Sequence, residues 1–295
     1  MTHRDDPPAD WLDRAFGLLQ RALPQHALSR GMHRLARSEQ PAIRRSLIRF
    51  VLRSYPQIDL SEAAEPDPYA YPSFNAFFTR ALRADARPVA TEPQVLVSPV
   101  DGTVSRLGRV DPQGRMLQAK GLHYTPGELL ADGTAAERYG RGQFACLYLA
   151  PYNYHRIHMP LDGRLVRTRY LPGALFSVNA ATARTIPGLF GRNERVVCEF
   201  ETAFGPLALV LVGALFVGSI ETVWTGEVNP PGRRGGGARP LESGEGRTFA
   251  KGAEIGRFNM GSTVVLLLGH EAVEFAQDCG PATPVRMGQA LARCS

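Results

Sequence analysis

One short segment, residues 254–268 with Gly261-Ser262 at its middle, constrains this chain more than any other. Its second half is strand-forming, because three β-branched residues follow the serine and lead into a run of leucines. Glycines at 256 and 261 interrupt the approach, as expected where a backbone bends or comes close to another segment. The segment therefore predicts a buried core strand that is entered through a glycine bulge.

The same Gly-Ser pair could also react with its own backbone. A serine hydroxyl can attack the carbonyl that precedes it when the peptide is held strained, and glycine has no Cβ to block that approach. The acyl group would move from nitrogen to oxygen, and elimination from the ester would leave a ketone at a new N-terminus. Such a step requires a base and an oriented histidine elsewhere in the chain.

Size and composition indicate an ordinary globular protein. The chain has 295 residues, of which 44% are hydrophobic and 21% charged, so disordered and collagenous classes are excluded. The longest apolar run, Leu207 to Gly218, is shorter than the roughly 18 residues of a membrane-spanning helix and contains glycines, which predicts buried strands. The first residues lack the apolar core of a secretion signal.

The cysteines predict neither disulfides nor a metal site. They show no CxxC pair and no His/Cys ligand spacing, and they are Cys146, Cys198, Cys279 and Cys294. Reduced, structural thiols in a cytosolic compartment are the expectation.

Basic charge is concentrated near the N-terminus. Residues 14–53 hold nine arginines against one acid, whereas the whole chain has a net charge of +6. Residues 9–54 read as three short helices. The apolar face of the first comprises Trp11, Leu12, Ala15, Phe16, Leu19, Ala22 and Leu23, and that of the third comprises Ile43, Leu47, Ile48, Val51 and Leu52.

Four arginines lie off the apolar stripe of the third helix, namely Arg44, Arg45, Arg49 and Arg53. A basic amphipathic helix suits an anionic membrane surface. The alternative is a helical bundle that packs on its own protein with a solvated arginine face. Nucleic acid is not an expected partner, because the segment has few aromatic residues for stacking and no reader module.

Two motifs further along carry candidate catalytic groups. Asp101-Gly102 is either a hairpin turn or an acid at a strand end. His155 and His158 follow an apolar strand; extended chain would point them to opposite faces, and a tight turn would bring them together. Lone histidines are more often structural than functional, and HxxH without further ligands is a weak metal motif.

The remaining segments were assigned by composition. Residues 54–71 read as an acidic linker, and Phe74 to Leu82 as a short helix. Residues 229–246 are rich in glycine and proline and predict a mobile loop beside the Gly-Ser strand. Thr283 to Ala292 is typical of a strand that closes a barrel.

Five motifs in this order resemble the pyruvoyl-dependent phosphatidylserine decarboxylases of the longer bacterial type. They are Phe74-Asn-x-Phe-Phe-x-Arg80, Ser98-Pro-Val-Asp101-Gly102, Tyr154-His155-Arg-x-His158-Met-Pro160, Val217-Gly-Ser-Ile-Glu-Thr-Val-Trp224, and Lys251-Gly-Ala-Glu254-x-Gly-x-Phe258 before the Gly-Ser-Thr. The likeness runs from about Phe74 to the C-terminus. Met260 stands where the family most often has leucine, and its similar volume predicts no loss of processing.

The resemblance implies that Asp101, His158 and Ser262 form a self-cleaving triad. Asp101 would orient His158, His158 would take the hydroxyl proton, and Ser262 would attack Gly261. Cleavage would give chains 1–261 and 262–295, the second beginning with a pyruvoyl group derived from Ser262. Phosphatidylserine would form a Schiff base with this group and lose CO2, giving phosphatidylethanolamine for phospholipid biosynthesis. His155 is implied to assist decarboxylation or to position the substrate.

The resemblance further implies an α+β fold in which amphipathic helices precede a mainly antiparallel, barrel-like β core. Residues 1–60 would dock on the membrane and 61–295 would form the decarboxylase domain. The expected partners are phosphatidylserine in an anionic membrane and the protein's own two chains as a heterodimer, with a dimer of heterodimers as an option. The expected location is peripheral, on the cytoplasmic face of the inner membrane.

Two rival functions stay open at this stage. The same three residues could serve an intact serine hydrolase, although no Gly-x-Ser-x-Gly elbow surrounds Ser262. A membrane-binding scaffold with an inactive site is the non-enzymatic alternative. Only the decarboxylase is expected to be cleaved into two chains, so cleavage distinguishes it from both rivals.

Overall fold

A computed structural model describes residues 8–216, 219–228, 239–241, 244–260, 262–269 and 273–295. It confirms the three N-terminal helices, which are α1 (Trp11–Ala22), α2 (Gln25–Ala36) and α3 (Pro41–Ser54). A capping box of Asp10 and Asp13 begins α1, and Pro41 occupies the first turn of α3, where its missing N–H costs nothing. Five shorter helices follow: α4 (Phe74–Phe78), α5 (Pro126–Leu130), α6 (Ala135–Tyr139), α7 (Ala180–Thr185) and α8 (Leu189–Arg192).

The apolar faces of α1 and α3 have opposite environments, since that of α3 packs on the protein and that of α1 faces solvent. In α3 the predicted stripe is directed inward: Ile48 and Val51 are buried and pack with the aromatic residues of α4. In α1 the buried residues are Asp13, Gly17 and Gln20, whereas most of its large apolar side chains face solvent. The predicted apolar stripe of α1 is therefore present, but it is not the face that packs on the protein.

Eighteen strands are found among the described residues. They are β1 (Val95–Val97), β2 (Gly102–Arg109), β3 (Met116–Ala119), β4 (Leu122–Tyr124), β5 (Gln143–Leu149), β6 (Arg156–His158), β7 (Gly163–Leu171), β8 (Arg195–Thr202), β9 (Gly205–Val212), β10 (Ile220–Thr222), β11 (Gly226–Glu227), β12 (Arg239–Pro240), β13 (Thr248–Phe249), β14 (Glu254–Phe258), β15 (Ser262–Leu268), β16 (Val273–Phe275), β17 (Pro284–Val285) and β18 (Ala290–Cys294).

The largest sheet runs in the order β12-β7-β8-β9-β15-β5-β2-β17, with β13 also paired to β7. Smaller sheets have the orders β11-β10-β14-β6, β1-β18-β16 and β3-β4, and the strand pairs are antiparallel. The predicted α+β class is confirmed. Within the described ranges these sheets are open, so the barrel-like part of the prediction is replaced by packed open sheets.

Strand β15 lies at the centre of the largest sheet, between β5 and β9. Val264, Leu266 and Leu268 belong to the hydrophobic cluster on one face of the sheet, whereas Val265 and Leu267 belong to the cluster on the other. A strand that is buried on both faces needs apolar residues throughout, which explains the unbroken run after Ser262.

Residues 254–268 form two strands in different sheets, β14 and β15, and not the single strand predicted. The pairing of β14 with β6 is irregular between Glu254 and Gly256, which agrees with the expected glycine bulge. A Cβ on Gly256 would stand 2.3 Å from the carbonyl oxygen of Glu221, so the close backbone approach there requires glycine. β14 ends at Phe258 in one sheet, and β15 begins at Ser262 in another.

Two further predictions need correction, and a third falls mostly outside the described residues. Asp101-Gly102 does not form a hairpin, because β1 pairs with β18 whereas β2 pairs with β5. The segment Thr283 to Ala292 contributes to two separate strands, β17 and β18. Most of the predicted loop at 229–246 lies outside the described residues, apart from 239–241, which include β12, and 244–246.

Candidate active site

Ser262 is the first residue of β15, and it is buried opposite Leu149 of β5. Within the described part of the chain, its Oγ has no hydrogen-bond partner. Buried hydroxyl groups are almost always satisfied, yet Oγ1 of the adjacent, equally buried Thr263 also has no partner among the described residues. Gly261, the other half of the predicted cleavage site, lies outside the described residues.

The histidine motif and the Gly-Ser segment are held together at two points. Ser262 pairs with Leu149, and the backbone N–H of Phe258 donates to the carbonyl of His155 at 3.0 Å. Leu149 therefore lies beside Ser262, and the backbone of His155 lies beside that of Phe258, so the histidine loop and the two strands of the Gly-Ser segment are held close together.

The residue two positions before Ser262 has a strained backbone. Met260 has a φ of 116°, in a region that non-glycine residues rarely adopt. It packs against the aromatic cluster of α4, and the adjacent Asn259 is held by side-chain hydrogen bonds with Asn75 and Ser219. Backbone strain of this kind costs about 1–3 kcal/mol and persists only where surrounding contacts enforce it.

His155 is fully buried and stacks on Phe78 of α4, with ring centroids 4.1 Å apart. Neither ring nitrogen makes a full hydrogen bond among the described residues, although the backbone of Ala150 and Pro151 interacts weakly with the ring and opposes the lowering of its pKa. Burial, reinforced by the positive charge of Arg80, lowers the pKa of His155 to about 3. The ring is therefore neutral at physiological pH and can both donate and accept a hydrogen bond.

His158 ends β6, and both of its ring nitrogens are engaged. Nδ1 lies 2.8 Å from the carbonyl oxygen of Gly252, and Nε2 lies 3.0 Å from the hydroxyl of Tyr154. A carbonyl only accepts, so in the neutral ring Nδ1 carries the proton and Nε2 accepts from Tyr154. Burial lowers the pKa of His158, although the Gly252 carbonyl and nearby carboxylates oppose this effect. Nε2 is thus the basic atom.

Asp101 lies between β1 and β2, and its carboxylate is paired with Arg87. Arg87 donates to it from Nε at 2.9 Å and from Nη2 at 2.6 Å, and the backbone N–H of Met287 donates at 2.9 Å. Arg87 also contacts Glu62. Asp101 therefore accepts from these partners and makes no direct hydrogen bond with the ring of His158, which it was predicted to orient. The Asp101 charge still acts on the ring from nearby, favouring its protonated form and so raising the pKa of His158.

Three residues of this arrangement were not predicted as functional: Arg87, Tyr154 and Gly252. Tyr154 and Gly252 lie inside the motifs that carried the resemblance, so their presence was visible but their contacts were not. Arg87 comes before a proline in a polar stretch, and nothing in that pattern indicates that it pairs with Asp101. The two histidines also contact different neighbours, so the four-residue motif does not form one cluster.

The surface of the N-terminal helices combines exposed apolar and basic side chains. Trp11 is 74% exposed, Leu18 is 65% exposed and Phe50 of α3 is 67% exposed. Among the predicted membrane-binding arginines, Arg45, Arg49 and Arg53 are exposed and Arg44 is partly buried. In the ranges that the structure covers, no helix is both long and apolar enough to cross a membrane.

The sequence matches the phosphatidylserine decarboxylase family over residues 74–293, and a second family described as PSD over residues 15–56. It is 50% identical over 285 residues to the phosphatidylserine decarboxylase proenzyme of Shewanella sp. (strain MR-4), covering 95% of this chain and 97% of the relative. The protein of the same name from Shewanella frigidimarina (strain NCIMB 400) is 50% identical over 279 residues, covering 93% and 96%.

Proposed function

This chain belongs to the phosphatidylserine decarboxylase family, and from that premise we propose that it cleaves itself between Gly261 and Ser262 and then converts phosphatidylserine to phosphatidylethanolamine and CO2. The observation that carries the proposal is that Oγ of Ser262, buried at the start of a central strand, has no hydrogen-bond partner in the described part of the chain. A structural serine in that position would be expected to have a partner. The strained backbone of Met260 supports a bond that is held ready for attack.

Self-cleavage uses groups that the chain itself supplies. The Ser262 hydroxyl gives its proton to a base while Oγ bonds to the Gly261 carbonyl carbon, and the peptide C–N bond then breaks as its nitrogen takes a proton. Loss of the Cα proton of residue 262, with breakage of its Cβ–Oγ bond, releases Gly261 as a carboxylate and leaves a dehydroalanine. This tautomerises to an imine, and hydrolysis of the imine by water releases ammonia and leaves a ketone at position 262.

We assign the role of base to Nε2 of His158, which is hydrogen-bonded to the hydroxyl of Tyr154. The Gly252 carbonyl fixes the tautomer by accepting from Nδ1, which leaves Nε2 as the basic nitrogen that accepts a hydrogen bond from the Tyr154 hydroxyl. Tyr154 either relays the proton or moves aside. Asp101 stabilises the imidazolium through its charge, and Arg87 holds that carboxylate in place.

The surroundings of Ser262 fit the formation of a pyruvoyl group, because Oγ of Ser262, the atom that would begin the reaction, has no hydrogen-bond partner among the described residues, and the ring of His155 is neutral. A pyruvoyl group would supply an electron sink for the electrons released when the substrate carboxylate leaves as CO2. Neutral His155 would donate one hydrogen bond and accept another from the bound headgroup, which orients it. Stacking on Phe78 holds the ring in place for this role.

The two chains produced by cleavage would stay together as a heterodimer. Residues 262–295 contribute β15 to the centre of the largest sheet, β17 to its edge, and β16 and β18 to another sheet. Every residue of β15 pairs with β5, and six of the seven also pair with β9. Breaking one peptide bond leaves all of these contacts in place. A dimer of heterodimers stays a prediction, which light scattering can measure.

The N-terminal helices support a peripheral position on an anionic membrane. Outward-facing Trp11 and Leu18 of α1 would insert into the lipid interface, while Arg45, Arg49 and Arg53 of α3 would attract lipid phosphates. We place the docking segment at residues 1–60 and the decarboxylase domain at 61–295, on the cytoplasmic face of the inner membrane. The apolar side of α3 packs on α4, which connects the docking segment to the helix that supports His155.

Intact-mass measurement of the purified protein tests the proposal directly. Wild-type protein should give two chains, 1–261 and 262–295, and the smaller one should carry a carbonyl that borohydride reduces. The Ser262→Ala variant should give one full-length chain without that carbonyl. Release of CO2 from phosphatidylserine should accompany cleavage and be lost with it.

An uncleaved wild-type protein would contradict the proposal. If that single chain hydrolysed esters in a Ser262-dependent way, the serine hydrolase would be correct instead. Binding to vesicles with neither cleavage nor hydrolysis would indicate a scaffold.

A further inference from the structure

Arg80 is a buried cation without a carboxylate of its own. Its exposed fraction is 5%, its Nε has no hydrogen-bond partner, and no ion pair involves it among the described residues. Its guanidinium carbon lies 5.4 Å from the centre of the Phe77 ring. An unpaired buried charge is costly, and one aromatic contact worth about 1–2 kcal/mol does not offset that cost.

The nearby acids are already occupied. Asp101 and Glu62 both bind Arg87, so Arg80 feels their charge without contacting either of them. Burial lowers the pKa of Arg80, but an arginine remains charged under all ordinary conditions. The site therefore contains a fixed positive charge whose counter-ion is absent from the described part of the protein.

Arg80 lies beside the candidate active site. It follows α4, whose Phe78 stacks on His155, and its charge helps to depress the pKa of His155. Two adjacent ring contacts, Phe77 under Arg80 and Phe78 under His155, thus hold the cation and the neutral imidazole from the same short helix. A ligand that touches His155 comes within the field of Arg80.

The substrate of the proposed function offers two anions, a carboxylate and a phosphodiester. A cation bound to the carboxylate would stabilise the ground state, and that stabilisation would be lost as the charge leaves with CO2, so the barrier would rise. The phosphodiester keeps its charge throughout the reaction. A guanidinium also matches phosphate oxygens with two parallel hydrogen bonds.

We propose that Arg80 binds the phosphodiester of the phosphatidylserine headgroup, an inference that rests on the proposed decarboxylase activity. This contact would position the amine and carboxylate of the headgroup beside residue 262. It would also require a phosphate ester in any substrate that the enzyme turns over efficiently.

The test uses mature enzyme and dihexanoylphosphatidylserine below its micellar concentration, so that membrane docking does not contribute. Arg80→Met should raise KM by at least tenfold with a smaller change in kcat, and Arg80→Lys should raise it less, because lysine keeps the charge but loses the paired hydrogen bonds. Arg83→Met is the matched control, since Arg83 is exposed and pairs only on the surface. It should leave KM unchanged.

Product inhibition distinguishes the two anions, because dihexanoylphosphatidylethanolamine keeps the phosphodiester and lacks the carboxylate. Its inhibition constant should rise in Arg80→Met by the same factor as KM. An unchanged inhibition constant beside a raised KM would assign Arg80 to the carboxylate and overturn the proposal.

Cleavage must be followed in parallel on a denaturing gel. If Arg80→Met stays uncleaved while Arg80→Lys matures with wild-type KM, Arg80 serves maturation alone and the inference is wrong. Failure of the decarboxylase function itself looks different, because wild-type protein would then release no CO2.

Discussion

His155 makes the stability of this protein depend on pH. An unfolded histidine binds a proton below a pH of about 6.5, whereas burial holds the pKa of His155 in the folded state at about 3. Between these values the unfolded state binds more protons, so the free energy of unfolding falls as the pH falls. The slope for one such group is at most about 1.4 kcal/mol per pH unit.

A comparison of His155→Phe with the parent measures this contribution. Both proteins should carry Ser262→Ala, so that neither cleaves. Urea unfolding between pH 6.5 and pH 4 should show a smaller loss of stability in His155→Phe than in the parent. Equal slopes would mean that the imidazole is hydrated or protonated in the folded protein.

The pair between Arg87 and Asp101 should be the most sensitive ionic contact of the site. Both side chains are more than 90% buried, so Arg87→Met leaves the carboxylate without its main partner. Loss of one member of a buried pair typically costs about 3–5 kcal/mol. We expect this loss in denaturant unfolding of the Ser262→Ala protein, and slower self-cleavage in the otherwise wild-type protein.

The control for this prediction is Arg83→Met. Arg83 and Asp85 form an exposed pair, for which the expected loss is below about 1 kcal/mol. Similar losses at positions 83 and 87 would show that Arg87 does not hold Asp101 in the folded protein.

The sequence indicates the candidate reactive residues more clearly than it indicates their contacts. The Gly-Ser pair and the HxxH motif are local patterns, so Ser262, His155 and His158 can be read directly. The contact between Asp101 and Arg87 spans 14 positions, and that between His158 and Gly252 spans 94. Such pairings depend on the packing of separate sheets, which periodicity does not encode.

At the scale of single elements, α1 reverses the usual arrangement of an amphipathic helix. Its polar side packs on the protein through Asp13, which forms an ion pair with Arg184, and through Gln20, which accepts from the backbone of Ser177. Gly17 allows the close approach, because a Cβ there would lie 2.7 Å from Oγ1 of Thr185. Periodicity predicted the apolar stripe correctly, but it could not show which face meets the protein.

Replacing outward residues of α1 should weaken membrane binding without affecting the fold. Trp11→Ser combined with Leu18→Ser should reduce co-sedimentation with anionic vesicles at least tenfold, since each buried apolar side chain contributes about 1.5–3 kcal/mol. Val166→Ser is the control, because Val166 is an exposed apolar residue of β7, outside the docking segment. Thermal unfolding should be the same in all three proteins.

The arginines of α3 should account for the salt-dependent part of that binding. Changing Arg44, Arg45, Arg49 and Arg53 to glutamate should abolish binding at low ionic strength, and added salt should weaken the wild-type interaction. Co-sedimentation that is unaffected by these four changes would contradict the docking surface.

At the scale of the whole molecule, the two chains should behave as one folded unit. Mature protein should elute as a complex in native gel filtration and separate only in denaturant, because β15 is paired on both edges along most of its length. Separation of residues 262–295 under native conditions would show that the sheet does not retain its central strand after cleavage.

The α+β class was predictable because helical periodicity and strand runs occupy different parts of the chain. The division of the strands among four sheets was not. Residues 254–268 read as one strand because apolar and β-branched residues continue through them, yet β14 and β15 lie in different sheets. Where a chain changes sheets is decided by long-range pairing.

The central position of β15 also sets an order of events. Ser262 pairs with β5, and the rest of β15 pairs with both β5 and β9, so we expect the proposed cleavage site to assemble only after these strands have paired. A misfolded copy would therefore stay a full-length, inactive chain. The cleaved fraction would then measure how much of the protein has folded correctly. Leu266→Ala, a core substitution expected to cost about 2–5 kcal/mol, should accordingly lower the cleaved fraction as the growth temperature rises, although Leu266 lies four residues beyond the bond that breaks.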